Sequence, residues 1–498
     1  MPNHKTIKPI YIALALIAVL LVLFGLTFLS QAKAIKKPNA SEDGFVINDF
    51  SLKYPTTQSF FKKELDTLAT EETVNLVTNA VIPVEEALDS LKITDSVKPK
   101  TTIDFTKIDT TKIFRIQYPD STGRFITQLK QSLVSGSCRW FHYGDSQVEG
   151  DRITAYLRNR LQGIYGGTGP GFIPIKQVYE QISANVMPSE NWIRYAVFDP
   201  TKKRLPHKKY GTFLSLSRFT PHLDSLPSRE QLDSLTIQKA TINISKSNKT
   251  YRRLRNFKTI NLHYGNCLYP IKISVFENEN LIKTDSLKTD GNYHNFKINL
   301  STSPNNIKIE LEGKISADFY GLTLDGNKGV QIDNIAMRGS TGNVFTRTNA
   351  ATYQRMANVL NPKVVLMQFG GNAVPYLKDS TKVTNYAKYM GSQIKWIKRR
   401  IKDVQFLFIG PTDMVTTVNG EKITHPLLPF LNETLRQTCL DNNVAYWSMF
   451  DAMGGKGAMK IWVDQKLAGK DYVHFTRKGT KIISELFFIA LYLDLNQK

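Results

Sequence analysis

The chain opens on an apolar stretch, Pro9 to Leu29, that contains no charged residue. At about 1.5 Å rise per residue such a run spans the ~30 Å hydrocarbon core of a bilayer, so the pattern predicts a retained transmembrane anchor. Ala32-Lys33-Ala34 resembles a signal-peptidase site, which leaves secretion after cleavage as the alternative. Lys5 and Lys8 precede the stretch while Lys33, Lys36 and Lys37 follow it, so flanking charge does not set the orientation.

From about residue 32 to 115 the pattern turns polar, rich in Thr, Ser, Lys and Asp and broken by prolines, which predicts a spacer with short helices such as one over Gln58 to Leu68. Beyond Ser121, Phe125, Ile126, Leu129 and Leu133 recur at helical spacing. Cys138 to Gly144 then suits a strand ending in a glycine turn, and Val148 to Leu161 a second helix, so strand, turn and helix open an α/β sheet. The texture changes between about Ile175 and Val330. Thr259 to Tyr264, Ile271 to Phe276 and Ile307 to Leu311 alternate apolar and polar residues between turn-forming segments, as in an antiparallel β-sandwich. After it, Lys363 to Phe369 and Val404 to Ile409 are apolar runs suited to buried parallel strands, with a helix over Tyr386 to Arg400 between them. The predicted organisation is an anchor at 1–34, a spacer at 35–115, and an α/β domain at 116–175 and 330–498 interrupted by a sandwich at 176–329.

Length and composition agree with several folded parts: the chain has 498 residues, 41% of them hydrophobic, with 27 Phe and 21 Tyr. The formal charge of +22 would suggest a nucleic-acid partner if it were clustered, but the lysines are spread over every segment. Short groups such as Lys202-Lys203-Arg204 and Lys398-Arg399-Arg400 read as solvated faces, so no nucleic-acid partner is expected. Cys138, Cys267 and Cys439 are odd in number and far apart, which gives neither a zinc motif nor a disulfide framework.

Four short motifs fall at strand ends of the α/β part, where open parallel sheets place their ligands. Gly144-Asp145-Ser146-Gln147 sets a serine at a strand-to-helix turn, either as a nucleophile or simply as a cap for the first helical N–H groups. Asp471-Tyr472-Val473-His474 places a carboxylate three residues from a histidine; the carboxylate can orient the imidazole, whose other nitrogen can take a serine proton. His142 is a rival base by proximity, but as a strand residue it is expected to be packed. Arg338-Gly339-Ser340-Thr341-Gly342 and Gly370-Gly371-Asn372 supply a backbone N–H and an amide, both suited to a developing oxyanion and both equally compatible with plain loops.

Together and in this order the four motifs resemble the SGNH hydrolase superfamily, the GDSL-type esterases. The resemblance implies a flavodoxin-like three-layer α/β domain with Ser146 as nucleophile, Asp471 and His474 as the rest of a triad, and Ser146, Gly339 and Asn372 as oxyanion donors. Gln147 stands where the family usually has leucine and Ala373 where aspartate is common. A narrower similarity, carried by Gly166 to Phe172, by Trp447 to Gly455 and by the position of the insert, is to bacterial peptidoglycan O-acetylesterases and related O-acetyltransferases. In these a carbohydrate-binding-module-like sandwich interrupts the catalytic domain. The expected substrate is therefore an acetylated cell-wall glycan, met outside the inner membrane on the periplasmic side, with neither cofactor nor metal. Two alternatives stay open: an O-acetyltransferase fed by a membrane acyl-donor partner, and a non-catalytic, membrane-anchored glycan-binding protein.

Overall fold

The computed structural model describes residues 10–11, 14–22, 44–47, 50–53, 110–120, 123–202, 204–326 and 328–496, and the chain divides into two compact units, Met1–Ala69 and Thr70–Lys498. In the first unit residues 10–11 and 14–22 are helical, and Gly44–Ile47 pairs with Phe50–Lys53 as an antiparallel hairpin that the spacer's composition had not suggested. Residues 9, 12–13 and 23–29 of the predicted anchor and the helix expected over Gln58 to Leu68 lie outside the described residues. Among those described, no helix is long and apolar enough to cross a membrane.

The second unit is built on a five-stranded parallel sheet. Its spatial order is Gly329–Ala336, Ser137–Gly144, Pro362–Gln368, Gln405–Ile409 and Ala445–Trp447. Counted along the chain this is 2-1-3-4-5, the doubly wound order whose switch point lies between the first and third strands. Because successive side chains of a strand point to opposite faces, each strand feeds two cores. Cys138, Trp140, Ile332, Val364, Leu366 and Leu407 pack on one side under the helices Arg124–Val134, Arg152–Tyr165 and Arg477–Asn496. Phe141, Tyr143, Ile335, Val365, Met367 and Phe408 pack on the other under Ala350–Leu360, Ser380–Lys398 and Leu428–Asp441. Both faces are covered, which is why these strands read as nearly continuous apolar runs rather than alternating ones.

This domain starts earlier than its sequence boundary at 116. Ile113 and Ile116 are already in the core, the Trp447 indole donates to the Phe114 carbonyl at 3.0 Å, and Gln117 pairs with Tyr446 beyond the last strand.

The interrupting segment is two antiparallel sheets around a shared core. One runs Asn280–Ser286, Lys272–Glu277, Asn306–Gly313, Gln238–Lys246 and Ala184–Pro188; the other runs His294–Asn299, Thr259–Gly265, Asp318–Asp325, Ser215–Arg218 and Ile193–Ala196. The sandwich also begins before residue 176, since Gly171–Ile173 pairs with Asp318–Asp325. The glycines of the preceding loop explain this early entry. At Gly167 (φ 104°) an added Cβ would lie 2.6 Å from the Val330 carbonyl oxygen, and at Gly169 (φ 92°) 2.5 Å from that of Leu324, so only glycine lets the loop pass between sheet and sandwich. Arg139 ties the two together by pairing with Asp333 at 2.7 Å and Asp325 at 2.6 Å, while Asp333 also accepts the Phe172 N–H at 2.9 Å.

Candidate active site

The Ser137–Gly144 strand ends in a turn too tight for a side chain: a Cβ on Gly144 would sit 2.7 Å from a Val148 methyl. Asp145 then accepts the Gln147 N–H at 2.9 Å, and Ser146 starts a six-residue 3-10 turn through Asp151. The sequence suggests one helix from Val148; the chain instead breaks at Glu149 (ψ 145°), Gly150 (φ 70°) and Asp151 (φ 68°), and the α-helix begins at Arg152. The left-handed backbone at Gly150 is what helical periodicity alone does not reveal.

The Ser146 hydroxyl lies 2.8 Å from His474 Nε2, and His474 Nδ1 lies 2.8 Å from Asp471 Oδ2. The other Asp471 oxygen accepts the N–H groups of Val473 at 3.0 Å and His474 at 3.1 Å, closing a turn in which Tyr472 takes a positive φ of 56°. Burial alone would raise the Asp471 pKa, but the His474 imidazole and these two backbone donors outweigh it and hold the carboxyl below its ordinary range. The structure thus brings Ser146 together with His474, 328 positions further along the chain, and with Asp471 in one hydrogen-bonded line. His142 is fully buried, bonds Thr154 Oγ1 at 2.9 Å, and is pushed down to a pKa of about 3 by desolvation; it is a packed strand residue.

The line opens into a cleft at the sheet's switch point. Its walls include Asp145, Ser146, Gln147, Gln368, Phe369, Gly371 and Asn372 from the first and third strand ends, Gly410 to Thr412 and Met414 after the fourth, and Met449 and Val473. Asn372 faces this space, with its amide nitrogen 3.3 Å from the Ser340 carbonyl oxygen. Gly339 lies on the exposed turn after the second strand, at φ 73° with open space around its Cα, and is not one of the residues lining the cleft. Among the described residues no group of three or more His, Cys, Asp or Glu side chains is placed to hold a metal ion.

Three features go beyond the roles that the four motifs suggest. Asp145 is buried against the cleft, and desolvation raises its carboxyl to a pKa of about 6 despite the Gln147 N–H and the nearby His474 and Arg152. The hairpin Val415–Val418 and Glu421–Thr424 rises from the cleft wall, and Lys422 places its ammonium 3.9 Å from the centre of the Tyr472 ring. Gln147 and Arg152 reach across to the histidine loop, bonding the carbonyls of Val473 and Phe475. The first and last of these join residues that only the fold makes neighbours, whereas the hairpin does carry a sequence signal, Asn419-Gly420 (φ 51° and 81°) between two runs rich in β-branched residues, and only its place beside the cleft is hidden.

No family model matches this chain, and neither does any curated protein sequence. Among solved structures, a peptidoglycan O-acetylesterase aligns with 18% identity and a TM-score of 0.57, covering 76% of this chain and 97% of its own. A carbohydrate esterase family 2 enzyme with a carbohydrate-binding domain from Corynascus thermopiles (Myceliophthora fergusii) aligns at 10% identity over 53% of this chain and 97% of its own, with a TM-score of 0.27. A GDSL-like lipase from Parabacteroides merdae aligns at 16% identity over 33% and 74%, with a TM-score of 0.26. The last two scores fall below the level that marks a common fold, whereas the first does not. The chain therefore shares the mixed α/β fold of that first structure.

Proposed function

We propose that this protein is a serine esterase that removes O-acetyl groups from a cell-wall glycan such as peptidoglycan. The observation that carries the reading is the unbroken line from Ser146 through His474 to Asp471, both links at 2.8 Å, at the mouth of a cleft. Its fold likeness to a peptidoglycan O-acetylesterase points to the substrate class.

In the proposed reaction His474 Nε2 accepts the Ser146 proton as Oγ attacks the ester carbonyl carbon. The negative charge that develops on the carbonyl oxygen is met by the Ser146 N–H and the Asn372 amide, with the Gly339 N–H as a further donor. The tetrahedral adduct collapses, the C–O bond to the sugar breaks, and His474 returns the proton to the leaving sugar hydroxyl. Water, deprotonated by the same imidazole, then attacks the acetyl-enzyme, the acyl bond to Ser146 Oγ breaks, His474 returns the proton to Oγ, and acetate leaves. Asp471, kept ionised, fixes the Nδ1–H tautomer and stabilises the imidazolium.

We also propose that the uncharged segment Pro9–Leu29, whose Ile10, Leu14, Leu20 and Leu21 stand exposed, anchors the chain in a membrane with the catalytic unit on the extracytoplasmic side. The test compares wild type and Ser146→Ala on a small acetyl ester and on O-acetylated peptidoglycan, with products followed by mass spectrometry. Acetate release by the wild type alone is expected. Acetylated oligosaccharide with little free acetate would mean transfer to an acceptor sugar instead, and no turnover by either protein would leave glycan binding as the function.

A further inference from the structure

His474 sits on an irregular loop with its side chain 39% exposed, and its partner Asp471 is 51% exposed. Proton transfer needs this ring within about 0.5 Å of its working position. The loop's own bonds, from Gly469 N–H to the His474 carbonyl at 2.8 Å and from the Asp471 turn, shape it but do not tie it to Ser146. Two side chains that follow the serine, one in its turn and one at the start of the next helix, do. Gln147 donates its amide N–H to the Val473 carbonyl at 2.6 Å, and Arg152 spans from the Ser146 carbonyl at 2.7 Å and the Glu149 carbonyl at 3.0 Å to the Phe475 carbonyl at 3.4 Å. The carbonyls immediately before and after His474 are therefore each held by a residue following the serine.

We propose that Gln147 and Arg152 are positioning residues that hold His474 in register with Ser146 by gripping the backbone on both sides of the histidine. This rests on the esterase reading of the site. Gln147 bears the larger share, because its bond is short whereas the Arg152 contact to Phe475 is long for a hydrogen bond. Neither residue touches the reacting atoms, and the Gln147 side-chain oxygen is buried without a hydrogen-bond partner among the described residues. That orphan allows a discriminating substitution. Gln147→Leu removes the donor to Val473 and also removes the unpaired oxygen, so a structural role predicts little loss of stability. A positioning role predicts a loss of kcat.

Wild type, Gln147→Leu, Arg152→Met, Arg152→Lys and Ser146→Ala would be compared for kcat and KM on a small acetyl ester, for thermal midpoint, and for the low-field proton resonance of His474 Nδ1–H. Gln147→Leu should lower kcat on the order of 10- to 100-fold with KM and midpoint nearly unchanged, since a displacement of about 1 Å can cost as much. Its His474 resonance should broaden as the ring samples other positions. Arg152→Met should behave similarly, and Arg152→Lys should recover part of the loss through one remaining donor. Wild-type kcat and an unbroadened resonance in Gln147→Leu would overturn the proposal, as would losses that track the thermal midpoint across the series. If instead wild type and Ser146→Ala hydrolyse the ester equally, the esterase reading fails, while the resonance, which needs no substrate, still reports whether the two side chains hold the ring.

Discussion

At the scale of single residues, the chemistry rests on three side chains that work as one. Replacing Ser146 or His474 with Ala should lower kcat by about 10⁴–10⁶, and the double substitution should be little worse than either single one, because each removes the same concerted step. Additive losses in steady-state kinetics would show that the two act separately. Asp145 supplies a different test. Its folded pKa of about 6 lies above the ordinary carboxyl value, so the folded state holds its proton more tightly than the unfolded one. Its contribution is thus most favourable below pH ~4 and is lost as pH rises toward 6. An asparagine amide at this position could still accept the Gln147 N–H without carrying charge, so Asp145→Asn should gain about 2–3 kcal/mol over wild type at pH 7 and almost nothing at pH 4. Urea denaturation at the two pH values measures this, and an equal effect at both would place the Asp145 contribution in its hydrogen bond rather than its charge.

At the scale of elements, the chain shows where sequence reasoning reaches and where it stops. Strands such as Ser137–Gly144 and Pro362–Gln368 are legible because burial on both faces writes itself as an apolar run, and Asp471 with His474 is legible because the contact is local. The Gly150 break and the Gln147 bridge are not, since they depend on backbone handedness or on a partner far along the chain; the Lys422 hairpin is signalled by Asn419-Gly420, but its contact with Tyr472 is not. Glycines divide by the same physics. Gly167→Ala forces a methyl into the Val330 backbone and should cost roughly 1–3 kcal/mol or more, seen as a lowered thermal midpoint. Gly339→Ala meets open space and should cost only about 1 kcal/mol of left-handed strain. Because alanine keeps the backbone N–H and the fold should survive it, kcat on a small ester should stay within a few-fold of wild type, as steady-state kinetics would show.

At the scale of the whole molecule, the question is whether the sandwich is an attached module or part of the catalytic body. Its strands enclose their own core, which by itself would suit a separable domain. A second set of its residues does not face that core. Leu205, Tyr210, Phe213, Leu214 and Tyr320 pack with Phe141, Tyr143, Tyr353 and Met356 of the α/β domain, the Tyr143 hydroxyl donates to the Thr212 carbonyl at 2.9 Å, and Phe172 stacks on Phe213 with ring centres 3.7 Å apart. Removing 176–328 would therefore bare several aromatic side chains on the face that supports the first strand, and each would lose roughly 1.5–3 kcal/mol of burial. The excised chain is expected to be insoluble or inactive even on a small ester that needs no glycan contact. By contrast a chain begun at Thr110, which keeps Ile113 and Ile116 in the core, should fold and retain full activity on that ester. Gel filtration and ester hydrolysis of the two truncations distinguish the cases: a soluble, active protein lacking the sandwich would make it an appended module, whose contribution would have to be sought in glycan binding alone.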